Sequence, residues 1–379
     1  MVDAALSAFE VFFTQSPSFL EFQRSLEQSK DNHNAQTLFG VHEISSDHHI
    51  RTLLDATQPE TLKPAYIFLF NALEQAGMVD AHRSVDGTLL LALDGTQHFS
   101  SPAIHCERCS TRRHANGQVT YFHSALTPVL VKPGCDKVIA LAPEFVTPQD
   151  GAAKQDCELT AAKRWQAVHG AAVARLKTTV LGDDLYCLTP FCRLLLDEGL
   201  AFILVCKPDS HATTYEWLEH FGRNGAVRTV SRTRWTGQRH ETDTCRYAES
   251  VPLSDSDGAL EVNWCGLVTT DAGGKVLYRN TFATSLTVNA GNVAAVIEAR
   301  RSSWKIENEN ENTRLPLRAQ FRPPPAAPFV PAGQPHHPGL SDPHRAGVDG
   351  RQIPAPAPEA VLSKALVQRH PNLNQLLVL

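Results

Sequence analysis

Five segments in the middle of the chain restrict what it can fold into. They are LLLALD from Leu89, VTYFHSALTPVLV, KVIALAPEF, LKTTVLGDD and AFILVCK, all apolar runs, the last four with β-branched or aromatic residues, and bounded by Gly, Pro or Asp. Side chains of that kind suit a pleated, buried surface, so each run predicts strand, and the five together predict one sheet. Between them lie helical patterns at Lys154 to His169 and Leu185 to Asp197. Strands alternating with helices give a mixed α/β layer structure rather than a sandwich.

The flanks differ from this centre. Residues 1–85 predict a helical region, with Phe9, Phe12, Phe13, Phe19, Leu20 and Phe22 leading into polar stretches and Ile50, Leu53 and Leu54 at helical spacing. Residues 86–225 hold the first part of the α/β core, and 226–290 read as a β-rich insertion with turns at Ser254-Asp255 and Gly273-Gly274. Helical character returns over 291–314, where Val293, Val296, Ile297, Trp304 and Ile306 fall on a stripe. Then 315–379 breaks the pattern: twelve of the 24 prolines lie between Pro316 and Pro358. Such a composition buries too little apolar area to offset the entropy of ordering it, which predicts a disordered tail.

With 42% hydrophobic residues the 379-residue chain has ample material for a core, which excludes a disordered or collagenous class. Its longest apolar runs fall far short of the roughly 20 residues of a membrane span. Asp3 and Glu10 stand where a secretion signal would be basic and then apolar, so a cytoplasmic location is expected. Nine dispersed cysteines suit reduced thiols. A net charge of -5 supplies no global pull toward nucleic acid, so any such contact must come from local basic surfaces.

Chemistry concentrates at two strand ends, Asp94 in LALDGTQ and Asp183 in VLGDDLY. Open α/β sheets gather ligand and metal sites there, although Asp before Gly or Asp is also an ordinary turn former. Glu307, Glu309 and Glu311 form a third acidic cluster; Glu307 and Glu311 share one helical face, and a solvated acidic surface is the plain alternative. Carboxylates from two strand ends and a helix would make an oxygen-rich site for two Mg²⁺ (or Mn²⁺) ions. Cys106-x-x-Cys109, with His105, His114 and His123 nearby, suggests zinc, against a reduced pair in a connecting loop. Asp156 and Glu158 open a helix, where carboxylates complement the helix dipole, so a structural role is expected of both. Lys207 and His211 follow a strand and could bind phosphate, or simply form part of a surface loop.

Taken in order, the strings LDGTQHFSS, IHCERC, VIALAPEF, QDGAAKQDCE, LGDDLY, VCKPDSH, RNTF and WKIENEN resemble bacterial insertion-sequence transposases of the DDE, RNase H-like superfamily. They are similar to the branch with a β-rich insertion before the catalytic Glu. The resemblance covers roughly residues 10 to 313. It implies an RNase H-like mixed sheet flanked by helices, with the 1–85 region binding DNA. Asp94 and Asp183 become the metal-binding aspartates, Glu307 the third carboxylate and Glu311 its fallback. The implied partners are double-stranded DNA, as inverted-repeat ends and target, and a second copy of the chain, in a bacterial, nucleoid-associated setting without a membrane. Members carry a tyrosine and an arginine before the Glu, on the face that meets DNA; here Arg300 and Ser303 hold those positions, which implies a DNA-facing place for Arg300. Arg301 or Arg314 could substitute electrostatically, and Trp304 could stack on a base or belong to the core.

Past the Glu, members continue with a lysine and then a stretch resembling GYHLEHNFGHG. Here the chain reads LPLRAQFRPPP from Leu315. With permitted codons the same stretch decodes one nucleotide later as YHFEHNFGHR. The resemblance therefore implies a deletion and frameshift that replaced the native C-terminal helices. Two functional expectations follow: a DDE transposase, or a catalytically inactive DNA-binding remnant or domesticated derivative. A zinc-stabilised interaction module is a third class, disfavoured by the acidic strand ends.

Overall fold

A computed structural model describes residues 2–306, apart from 15, 17, 29–34, 44, 107 and 148–155. Glu307, Glu309, Glu311, Arg314 and the whole of 315–379 lie outside the described residues.

Four helices open the chain: α1 (Val2–Phe13), α2 (Phe19–Gln28), α3 (Ala35–Phe39) and α4 (Asp47–Ala56). Ala4, Ala8 and Val11 on α1 and Phe19, Phe22 and Leu26 on α2 recur at helical spacing, and they meet Val41 and Ile50 in a core of their own. Helix α5 (Lys63–Gln75) turns Tyr66, Leu69, Phe70 and Leu73 toward the sheet instead.

The strands and later helices follow as β1 (Leu89–Ala92), β2 (Gly95–Ser101), β3 (Ser110–Arg113), β4 (Val119–Leu126), β5 (Val129–Val131), β6 (Ile139–Ala140), β7 (Glu144–Val146), α6 (Glu158–Arg175), β8 (Thr178–Gly182), α7 (Thr189–Asp197), β9 (Ala201–Val205), α8 (Ala212–Arg223), β10 (Arg228–Trp235), β11 (His240–Pro252), β12 (Glu261–Asp271), β13 (Val276–Thr284) and α9 (Val293–Arg301). Nine strands form one mixed sheet in the order β10-β11-β12-β13-β9-β8-β1-β5-β6. At its centre β1, β8 and β9 run parallel, while β5 and β13 flank them antiparallel.

Those central strands are buried on both faces. Leu89, Leu91, Val180, Phe202 and Leu204 point toward Trp165 of α6 and Phe191 and Leu195 of α7. Leu90, Ala92, Leu181, Ile203 and Val205 point the other way, toward Val293, Val296 and Ile297 of α9. Period-two alternation into two apolar layers is why these segments read as unbroken hydrophobic runs. The molecule is thus α/β, a large mixed sheet flanked by helices. No helix among the described residues is long and apolar enough to cross a membrane.

The five apolar segments do not all join one sheet. VTYFHSALTPVLV divides into β4 and β5, and KVIALAPEF into β6 and β7; β2, β3, β4 and β7 make a second, four-stranded sheet. The breaks fall at Thr127-Pro128 and Ala142-Pro143. Proline carries no N–H for a ladder bond, so pairing cannot run through it in a central strand. Thr127 instead donates its N–H to the Asp94 carbonyl at 2.9 Å, so the β1–β2 and β4–β5 segments leave the large sheet at the same level. The 226–290 region, in turn, extends the large sheet, because Phe282 of β13 pairs with Val205 of β9.

Candidate functional site

Parallel pairing of β1 with β8 sets the register Ala92↔Leu181, and Leu93 N–H donates to the Leu181 carbonyl at 2.9 Å. Two residues further along each strand are Asp94 and Asp183, at the same C-terminal edge. The turn-forming role expected of an Asp at such a place is also present: Asp183 Oδ1 accepts the Leu185 N–H at 2.9 Å and caps the short turn Asp184–Tyr186.

A third carboxylate joins them from a helix start. Glu158, first residue of α6, accepts the fully buried Tyr186 hydroxyl at 2.5 Å on Oε1 and also accepts the Gly95 N–H. Burial raises its pKa; the Tyr186 bond opposes that, the neighbouring charge of Asp183 adds to it, and the Gly95 bond opposes it again. The Tyr186 phenol is held far above its usual range, first by burial and then by Glu158, Asp183 and Asp94. Glycine is required at position 95, since a Cβ there would overlap the Glu158 carboxylate. Asp156, the other acid at this helix start, is structural as expected: it is buried and holds Arg164 through both carboxylate oxygens, at 3.0 and 2.9 Å.

Glu158 keeps the structural place expected of it, an acid in the first turn of α6, and adds to it a meeting with Tyr186 and Gly95 at the strand edge. Sequence reasoning missed that meeting because 63 residues separate Glu158 from Gly95. The one available signal was that glycine, which leaves room beside a strand-end Asp for a second acidic side chain.

Helix α9 is fastened to the same edge. Arg300 Nε donates to the Gly182 carbonyl at 3.0 Å, at the end of β8, and its guanidinium also reaches Ser303. Lys305, buried, donates to the carbonyls of Lys132 and Cys135. The chain therefore reaches Ile306, itself buried, with α9 tied by Arg300 to the end of β8 and by Lys305 to the turn that follows β5. Arg300 is half-buried and committed to backbone, which does not suit the DNA-facing place assigned to it. Arg301 is exposed, its guanidinium 4.8 Å from the Tyr278 ring centroid, and Trp304 is 53% exposed rather than part of the core. Together with Arg232, Arg234 and Lys305 they line a cleft of about 660 Å³.

The surface-loop and phosphate readings both fail for His211. It is buried at the start of α8 with Nε2 3.4 Å from Asp184 Oδ1, and burial lowers its pKa in spite of that neighbour. Lys207 is exposed; its backbone N–H donates to Asp184 Oδ1 at 2.7 Å. Cys106 and Cys109 lie between β2 and β3 and meet His123 of β4, whereas His114 is bonded to Thr120 and His105 is stacked on Tyr121.

No protein-family model matches the chain, and no curated protein sequence does.

Proposed function

We propose that the chain is a DDE transposase, or descends from one, whose activity is metal-dependent DNA strand cleavage and transfer at the ends of an insertion sequence. The observation that carries the reading is that Asp94 and Asp183 each lie two residues past the register pair Ala92↔Leu181 of two adjacent parallel strands, at the edge where Arg300 of α9 is tied to Gly182. The central order β6-β5-β1-β8-β9, antiparallel up to β1 and parallel after it, supports an RNase H-like core.

Carboxylate oxygens are hard donors, which suits Mg²⁺ or Mn²⁺. Asp94, Asp183 and Glu307 would hold two such ions, which when bound favour deprotonation of an attacking water or 3′-hydroxyl and stabilise the leaving oxygen. The protein's own part is positioning. Leu185 N–H fixes one Asp183 oxygen, Tyr186 and Gly95 fix Glu158, and Arg300 ties α9 to the end of β8. In the first step water oxygen would bond to phosphorus as the 3′-oxygen leaves with a proton; in the second that 3′-hydroxyl oxygen would bond to a target phosphorus, giving up its proton, as the target strand's own 3′-oxygen leaves and is protonated. Both DNA ends would be brought together by a homodimer.

The second reading, an inactive DNA-binding remnant, is favoured by the proline-rich stretch from Leu315 where the family motif is expected. The test is a nicking assay with Mg²⁺ on DNA bearing the inverted repeats that flank the gene, run on this chain, a frame-restored form and their Asp94→Ala variants. The transposase reading requires nicking by at least the frame-restored form and a loss of more than about a hundredfold in the variant. Nicking that survives Asp94→Ala, or its absence from every form, refutes it.

A further inference from the structure

Away from the carboxylates, two sulfurs and one ring nitrogen converge where the β2–β3 connection lies against β4. Cys106 Sγ and Cys109 Sγ are 3.8 Å apart, and His123 Nε2 is 3.3 Å from each. A tetrahedral Zn²⁺ with bonds of about 2.3 Å to sulfur and about 2.05 Å to nitrogen needs edges of about 3.8 Å between sulfurs and about 3.6 Å from sulfur to nitrogen. The observed triangle matches one face of that tetrahedron on its sulfur edge and is about 0.3 Å tighter on the two edges to nitrogen. Hydrogen bonding accounts for it less well: an imidazole nitrogen offers one proton or one lone pair, so it serves one sulfur and does not explain two equal contacts of 3.3 Å.

The surrounding backbone is arranged for the same purpose. Cys106 N–H donates to Cys109 Sγ at 3.3 Å, and Cys109 N–H donates to the Cys106 carbonyl at 3.2 Å, closing a tight turn that aims both sulfurs inward. His123 is held from the strand side, stacked on His98 with centroids 5.9 Å apart and in contact with Phe99 at 5.8 Å. Cys109 is buried and Cys106 exposed, so the fourth corner has access to solvent.

We infer that Cys106, Cys109 and His123 bind a single Zn²⁺, with a solvent molecule as fourth ligand. The ion clamps Cys106 and Cys109 of the β2–β3 connection onto β4 and so stiffens the small sheet that begins at Gly95. This site is independent of any role for the carboxylates. A second group, Cys187, Cys206 and His211, is wholly buried, with His211 already set against Asp184; it differs in having no exposed member.

The test measures zinc in the full chain, purified under a phosphine reductant without a metal-affinity step, and then titrates the zinc-free chain with Co²⁺. One zinc per chain is expected, together with a cobalt spectrum showing thiolate-to-metal charge transfer. Cys106→Ser and His123→Asn should each lose at least about tenfold in affinity, while Cys135→Ser, at a cysteine outside the cluster, should not. Cobalt titration of the unaltered chain guards against a variant that merely fails to fold. Alkylation of buried Cys109 should accelerate when zinc is removed and slow again when it is restored. Absence of both retained zinc and a sulfur-to-cobalt band in the unaltered chain overturns the proposal, as does full metal retention by Cys106→Ser.

Discussion

Glu10 shows how one buried acid ties a subdomain to pH. It lies on α1 at 5% exposure with Oε2 unbonded, and burial raises its pKa from 4.5 to about 7. A carboxyl with a raised folded-state pKa favours folding below the unfolded value, and that contribution is lost as pH rises through the folded value. Stability of the α1–α4 unit should therefore fall between about pH 4.5 and 7, by on the order of 3 kcal/mol. Glu10→Gln should increase amide protection in α1 at pH 8 and leave it unchanged at pH 4, each compared with the parent at the same pH by hydrogen exchange; equal protection at pH 8 contradicts this. At the strand edge, Glu158→Gln and Gly95→Ala should act alike, because both disturb the same carboxylate. Each should raise the Mg²⁺ concentration needed for nicking by about 10- to 100-fold in a form that nicks; an unchanged requirement would make Glu158 purely structural. Asp94 and Asp183 were legible because each ends an apolar run, whereas Glu158 and His211 were not. Their environments come from residues distant in sequence or from packing, which no local spacing records.

At the scale of elements, strand β10 is the exposed edge of the large sheet and carries Arg228, Arg232 and Arg234. Arg234 is neutralised by Glu241 at 3.1 Å and Asp243 at 3.2 Å, and Arg228 lies 3.8 Å from Glu249. Arg232 and Arg301 line the same cleft, with Trp304 beside them. If DNA follows this cleft, each of these two arginines releases counterions from a phosphate. Arg232→Ala and Arg301→Ala should then each reduce the log-log salt slope of DNA binding by about 1, while Arg175→Ala, on α6 and paired with Glu74, should not. Fluorescence anisotropy across a salt series reads the slope, and an unaltered slope in both cleft variants removes the cleft from the interface. Strand existence was plain in the sequence, since short apolar runs bounded by turn residues form β1, β8 and β9. Sheet membership was not: Pro128 and Pro143 direct continuous-looking runs into two sheets, and a proline marks the break without saying where the chain goes next.

For the whole molecule, the question is what completes the edge at which β1, β8 and α9 meet. Up to Ile306 the chain is anchored: Arg300 holds β8, Lys305 holds the Lys132–Cys135 turn, and Val293, Val296 and Ile297 close one face of the sheet. That scaffold was readable from 291 onward as an apolar stripe, and it brings the chain to Glu307. The stretch from Leu315 is compatible, with permitted codons, with a family-like sequence one nucleotide later, and the hypothesis of a lost frame makes a quantitative prediction. A carboxylate at a metal site must be held within about 0.5 Å to work, and holding it is the task of whatever packs behind it. The frame-restored chain should therefore nick DNA at least about a hundredfold faster than the present one. Both should bind DNA with similar affinity, because the cleft residues from Arg232 to Trp304 precede the altered segment. Equal nicking by the two forms would show that the edge is complete without the restored segment, and weaker DNA binding by the present chain would place part of the DNA contact in that segment.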